Sequence, residues 1–74
     1  MDTDKEIISD NLYEAMYRKG WTIKRLSEES GVAVNTLNRI LSGKYSTRVD
    51  TLILLARTMN IDVKVFFSGI ITTK

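Results

Sequence analysis

Residues 22–44 read TIKRLSEESGVAVNTLNRILSGK, and the spacing of apolar positions in this stretch decides the fold. Thr22 is suited to cap a helix through its hydroxyl, and Trp21 before it is placed to staple against Leu26, the fourth helical position. That helix runs to about Ser30, where Gly31 supplies a turn. A third helix follows from Val34 to Ser42, with Leu37, Ile40 and Leu41 turned inward. Leu26, Val32, Leu37 and Ile40 are spaced so that one short helix packs across the next.

Working outward, Ile8, Leu12, Ala15 and Met16 form a helical stripe between Lys5 and Lys19, acidic near its start and ending in Arg18-Lys19 before Gly20. Downstream, Thr47 and Asp50 resemble a capping box opening a fourth helix through Leu52, Leu55, Ala56 and Met59. Asn60 tolerates the left-handed stop that this helix needs. Asp62 is placed to cap a last short helical turn, Val63 to Phe67, which Gly69 closes. The pattern predicts an all-α, compact five-helix domain over residues 1–69. The tail, 70–74, is β-branched at Ile70-Ile71-Thr72-Thr73, which suits either a strand paired with a second subunit or the start of a linker.

Composition bounds the chemistry. Seventy-four residues make one domain, burying roughly 60% of the unfolded surface. With 43% hydrophobic and 27% charged residues, a folded globular chain is expected rather than a disordered one. Cys, His and Pro are all absent, which excludes disulfides, zinc sites of the Cys/His kind and thiol or imidazole nucleophiles. Ser27, Ser30 and Ser42 therefore have no imidazole to activate them, and Glu28-Glu29 lacks a companion set of ligands. No enzyme, cofactor or metal site is expected. The longest apolar run, Leu52 to Ala56, is far short of the ~20 residues that cross a bilayer. The acidic start is unlike a signal peptide, so a cytoplasmic protein without membrane partners is expected.

Net charge is +2, and its distribution says more than its size. Residues 1–14 hold Asp2, Asp4, Glu6, Asp10 and Glu14 against Lys5 alone; the remainder holds ten bases against Glu28, Glu29, Asp50 and Asp62. Such polarity suggests a basic face, and equally fits an ordinary solvated surface.

Two short helices joined by a turn containing Gly31 make a helix-turn-helix pattern. Residues 22–44 closely resemble the lambda-repressor/Cro-like family of DNA-binding domains. The likeness continues through Asp50-Thr51-Leu52, Leu55-Ala56, Asn60-Ile61 and Val65-Phe66-Phe67, covering most of residues 8–69. The resemblance implies a third helix that enters the major groove, with Val34, Asn35, Asn38 and Arg39 facing bases. Asn offers adenine a donor and an acceptor at once, Arg forks onto guanine, and Val34 suits a thymine methyl. The bland alternative leaves Asn35 and Asn38 as solvated helix residues.

By the same resemblance, the DNA backbone meets the start of helix two, at Thr22, Ile23 and Lys24, and the loop at Ser42, Gly43, Lys44 and Tyr45, with Arg48 beyond it. Unpaired N–H groups and Lys44 would favour an anion there. Lys24 and Arg25 could instead pair with Glu28 and Glu29 at helical spacing. Tyr45 could reach a phosphate by its hydroxyl or cover the loop.

Three departures from the family pattern stand out. Ile23 replaces a usual Gln, removing a polar contact. Ala33 stands where a capping Ser or Thr is usual, leaving helix three less firmly capped by ~1 kcal/mol. Met16 and Leu41 replace a common Arg–Glu ion pair with an apolar contact, which can be as stable or more so because burying two charges costs nearly what their attraction returns.

The expected function is a sequence-specific transcriptional regulator, repressor or Cro-like, reading double-stranded DNA as a homodimer on a palindromic operator and needing no small-molecule substrate. Phe67, Ile70 and Ile71 are candidates for the dimer interface, with Val65 and Phe66 nearby and Phe66 suited also to the core. The alternative is an interaction module on the same scaffold, antirepressor or antitoxin-like, that reads no bases.

Overall fold

The computed structural model describes residues 2–45 and 47–67. Four α-helices follow one another: α1 (Asp2–Lys19), α2 (Ile23–Ser30), α3 (Val34–Ser42) and α4 (Val49–Met59), and a short 3-10 helix spans Val63–Phe67. Among the described residues there is no strand. The five segments lie where periodicity puts them, with one correction of type: the last is a 3-10 helix, not an α-helix. Its cause is local. Asp62 accepts from the N–H of Lys64 through Oδ1 (3.0 Å) and from the N–H of Val65 through its carbonyl oxygen (3.0 Å), which tightens the chain into i to i+3 bonding.

Helix ends follow from backbone conformation. Gly31 has φ 81° and lets the N–H at the end of α2 return to the carbonyl of Ser27 at 2.9 Å; a Cβ is strongly disfavoured in that region. Asn60 takes the same role after α4 at φ 58°, its N–H bonding the carbonyls of Ala56 and Arg57. α1 begins at Asp2 rather than near Lys5, because the apolar stripe that marks it starts only at Ile8.

The start of α4 corrects a second expectation. The residue before the helix is Arg48, which offers no capping oxygen, and no Thr47–Asp50 capping box forms. Entry comes one residue later than that register requires, so Asp50 instead accepts from the N–H of Thr51 at 3.1 Å and from Arg48 Nε at 3.3 Å.

Leu12, Ala15, Met16, Leu26, Leu37, Ile40, Leu52, Leu55, Ala56, Met59 and Phe66 form the core. α2 packs on α3 and α4, while α1 lies against α3 and the 3-10 helix. Ile8, Trp21, Ile23, Val32, Leu41 and Phe67 lie half-buried at its edge. Met16 is buried and Leu41 borders the same core, so both positions of the family's usual ion pair are apolar packing sites here. Burial of such side chains contributes on the order of 2 kcal/mol each, and it fixes which face of α3 is left outside.

Candidate nucleic-acid interface

α3 is anchored by one face. Leu37 is fully buried and Ile40 nearly so, so helical geometry turns the opposite side outward. Asn35, Asn38 and Arg39 are all exposed, at i, i+3 and i+4 along one row. Val34, in the first turn, is 42% exposed. Asn35 and Asn38 spend no side-chain donor or acceptor on another described residue, which leaves each amide with both its donor and its acceptor open.

Both ends of this helix are held. On the N-terminal side, Ser27 Oγ donates to the carbonyl of Val32 at 2.6 Å and Ser30 Oγ donates to that of Leu26 at 2.6 Å. Ser30 Oγ also accepts from the N–H of Val32 at 3.1 Å. These serines stitch the turn between α2 and α3. Ala33 precedes α3 with no side-chain cap, as its residue type dictates. On the C-terminal side, buried Ser9 of α1 donates to the carbonyl of Leu41 at 2.6 Å. Asn11 Nδ2 likewise donates to the carbonyl of Phe66 at 2.9 Å, tying down the 3-10 helix. Neither partnership has a local signature, since the partners are far apart in the chain.

The loop after α3 differs from expectation in its backbone. The N–H of Gly43 is bonded to the carbonyl of Ile40 at 3.2 Å, and that of Lys44 to Ser42 Oγ at 3.3 Å, so these groups are occupied within the turn. Ser42 Oγ also donates to the carbonyl of Arg39 at 2.7 Å. Gly43 itself is buried against α1, where a methyl group would lie 3.5 Å from Glu6 Cα; its φ of 74° is what calls for glycine. Exposed side chains of Ser42, Lys44 and Tyr45 remain at the surface.

At the start of α2, Thr22 Oγ1 accepts from the N–H of Arg25 at 3.1 Å, the cap expected of it. Ile23 is half-buried against the core and Lys24 is exposed. Arg25 lies 4.2 Å from the Trp21 ring centroid and 3.9 Å from Glu29, so it is engaged within α2's own surface. Arg48 is exposed beside Asp50. A concavity of about 310 Å³ is lined by Thr36, Arg39, Ile40, Tyr45, Thr47, Arg48 and Thr51.

Of the residues read as dimer contacts, Phe67 is half-buried against the core, and Ile70 and Ile71 lie outside the described residues, as does the whole 70–74 tail. Phe66 is fully buried, its packing satisfied within the chain. Val65 is exposed. No group of three or more acidic residues able to hold a metal ion occurs among the described residues. None of the described helices is long and apolar enough to cross a membrane.

Comparison with known proteins agrees with this geometry. A helix-turn-helix family model matches residues 12–66. An SPbeta prophage-derived uncharacterized HTH-type transcriptional regulator, YopO, of Bacillus subtilis is 30% identical over 56 residues, covering 76% of this chain and 80% of that protein. The crystal structure of an HTH_3 family transcriptional regulator from Vibrio cholerae superposes with a TM-score of 0.86 at 22% identity, over 95% of this chain. This chain spans only 40% of that protein's length, and the likeness is one of fold. With α2, the Gly31 turn and α3 inside the matched span, the chain belongs to the helix-turn-helix family, in its lambda-repressor/Cro-like form.

Proposed function

We propose that the chain is a sequence-specific DNA-binding transcriptional regulator, repressor or Cro-like, that seats α3 in the major groove. One observation carries this reading: Asn35, Asn38 and Arg39 stand in an exposed row on a helix whose opposite face is locked into the core. Amides and guanidinium in such a row match the donor and acceptor edges of adenine and guanine. Val34 adds an apolar contact at the helix start. Thr22, Ile23, Lys24, Ser42, Gly43, Lys44, Tyr45 and Arg48 flank the row, with the exposed side chains of Thr22, Lys24, Ser42, Lys44 and Arg48 facing phosphates, Gly43 shaping the turn that presents them and Tyr45 lying beside Arg39.

Residues 1–69 act as the DNA-binding domain of a cytoplasmic protein, and two copies read a palindrome with half-sites about 34 Å apart, one helical turn. Dimerisation follows from size, since a single small module covers little DNA and two joined modules multiply their affinities. Phe67 and the 70–74 tail are the proposed contacts. The test is selection of sites from random double-stranded DNA by the purified chain, followed by a salt titration. A regulator enriches a palindromic site and loses affinity steeply as salt rises; failure to enrich any site would favour a protein-interaction module instead.

A further inference from the structure

Arg39, read as a base contact, has its side chain against the ring of Tyr45. The Arg39 guanidinium lies 5.4 Å from the centroid of the Tyr45 ring, in the range of a cation–π contact. Tyr45 is 53% exposed, so the ring is not needed to fill the core. What brings it there is the turn after α3: Gly43 reverses the chain in a left-handed conformation, and Ser42 Oγ fastens the carbonyl of Arg39 and the N–H of Lys44 to each other's neighbourhood. Among the described residues Arg39 forms no ion pair.

This arrangement has a chemical consequence. A carboxylate partner would hold Arg39 by the very N–H groups that read a base. An aromatic face holds the guanidinium through its plane and leaves all five edge donors open. Arginine otherwise has many rotamers to lose on forming a bidentate bond to guanine O6 and N7, so holding it beforehand favours the correct base.

We propose that Tyr45 is a positioning residue for sequence readout: its ring, and not its hydroxyl, presents Arg39 to a guanine. The proposal rests on the DNA-reading role given to α3. It assigns Tyr45 to specificity, where a phosphate contact through the hydroxyl would assign it to general affinity.

The experiment compares Tyr45→Phe, Tyr45→Leu, Arg39→Ala and the Tyr45→Leu/Arg39→Ala double variant in the full chain. Binding is measured to the selected site and to a site with the guanine opposite Arg39 replaced. Tyr45→Phe is expected to match wild type. Tyr45→Leu should lose about three- to fivefold on the selected site, nothing on the replaced site, and nothing further once Arg39 is alanine. In the free protein, NMR should show the Arg39 δ-methylene protons shifted upfield by the ring in wild type and Tyr45→Phe, and unshifted in Tyr45→Leu.

The proposal is overturned if Tyr45→Phe loses as much as Tyr45→Leu, and by the same factor on the selected and the replaced site, which would identify a phosphate contact through the hydroxyl. It is equally overturned if Tyr45→Leu binds as wild type does, or if the upfield shift is missing from the wild-type chain. Arg39→Ala separates this from the parent reading. Should it relax the choice of one base while Tyr45→Leu does not, only the platform fails; should no variant of Asn35, Asn38 or Arg39 alter site choice, the role of α3 fails, and the ring-current shift alone then decides whether the pair exists.

Discussion

Ser9 Oγ donates a 2.6 Å hydrogen bond to the carbonyl oxygen of Leu41, joining the middle of α1 to the last turn of α3. That carbonyl belongs to the helix end, where no intrahelical donor reaches it. Ser9 is buried, so water cannot replace the hydroxyl at low cost. Ser9→Ala should lower unfolding free energy by about 1–2 kcal/mol in urea melts, while the base preferences recovered by site selection stay as they are. An altered base preference would show that α1 sets the angle of α3 and not only its stability.

Met16 sits in the core with 5% of its surface exposed. Arginine there would bury a charge whose family partner, at the position of Leu41, is absent. Met16→Arg should cost roughly 3–5 kcal/mol, which is most of the stability of a domain this small, and Met16→Arg with Leu41→Glu should recover part of it. A thermal melt of the single variant that overlays wild type would contradict the packing described.

Ala33 already has the extended backbone of a cap, φ −62° and ψ 146°, and lacks only the oxygen. Ala33→Ser should stabilise the chain by about 1 kcal/mol, seen as a rise in Tm of about 4–8 °C. No rise would mean that the first N–H groups of α3 are satisfied in some other way.

Asn38 and Lys44 should respond differently to removal. Asn38→Ala is expected to relax preference at one base position by ~1–3 kcal/mol with little change in the salt dependence. Lys44→Ala should weaken binding to all sequences alike and lower the slope of log K against log salt by about 1. Swapped outcomes, measured on the selected site and a scrambled one, would exchange the two roles.

Core and helices were legible because burial leaves a periodic trace. Leu12, Ala15, Leu37, Ile40 and Leu55 repeat at helical spacing, and Gly31, Asn60 and Asp62 mark ends by residue type alone. What stayed hidden was settled by tertiary partners. The Ser9 and Asn11 bonds span 32 and 55 positions of the chain, and no neighbouring residue announces them. Thr47 and Asp50 had the types of a capping box, but whether such a box closes depends on where the chain enters α4, and Arg48 holds that place. Exposure of Asn35, Asn38 and Arg39 follows directly from the burial of Leu37 and Ile40; the contact of Arg39 with Tyr45 does not, because it depends on how the Gly43 turn folds back.

The outward row of α3 and the bonds that hold α3 share no side chain: Ser9, Ser27 and Ser30 do the fastening, while Asn35 and Asn38 fasten nothing. Exchanging the latter two for residues other than proline or glycine should change stability by no more than about 0.5 kcal/mol. On the proposed reading of α3, operator choice is thus free to drift, or to be redesigned, at little cost to folding, and a library varied at those two sites, proline and glycine excepted, should yield soluble members.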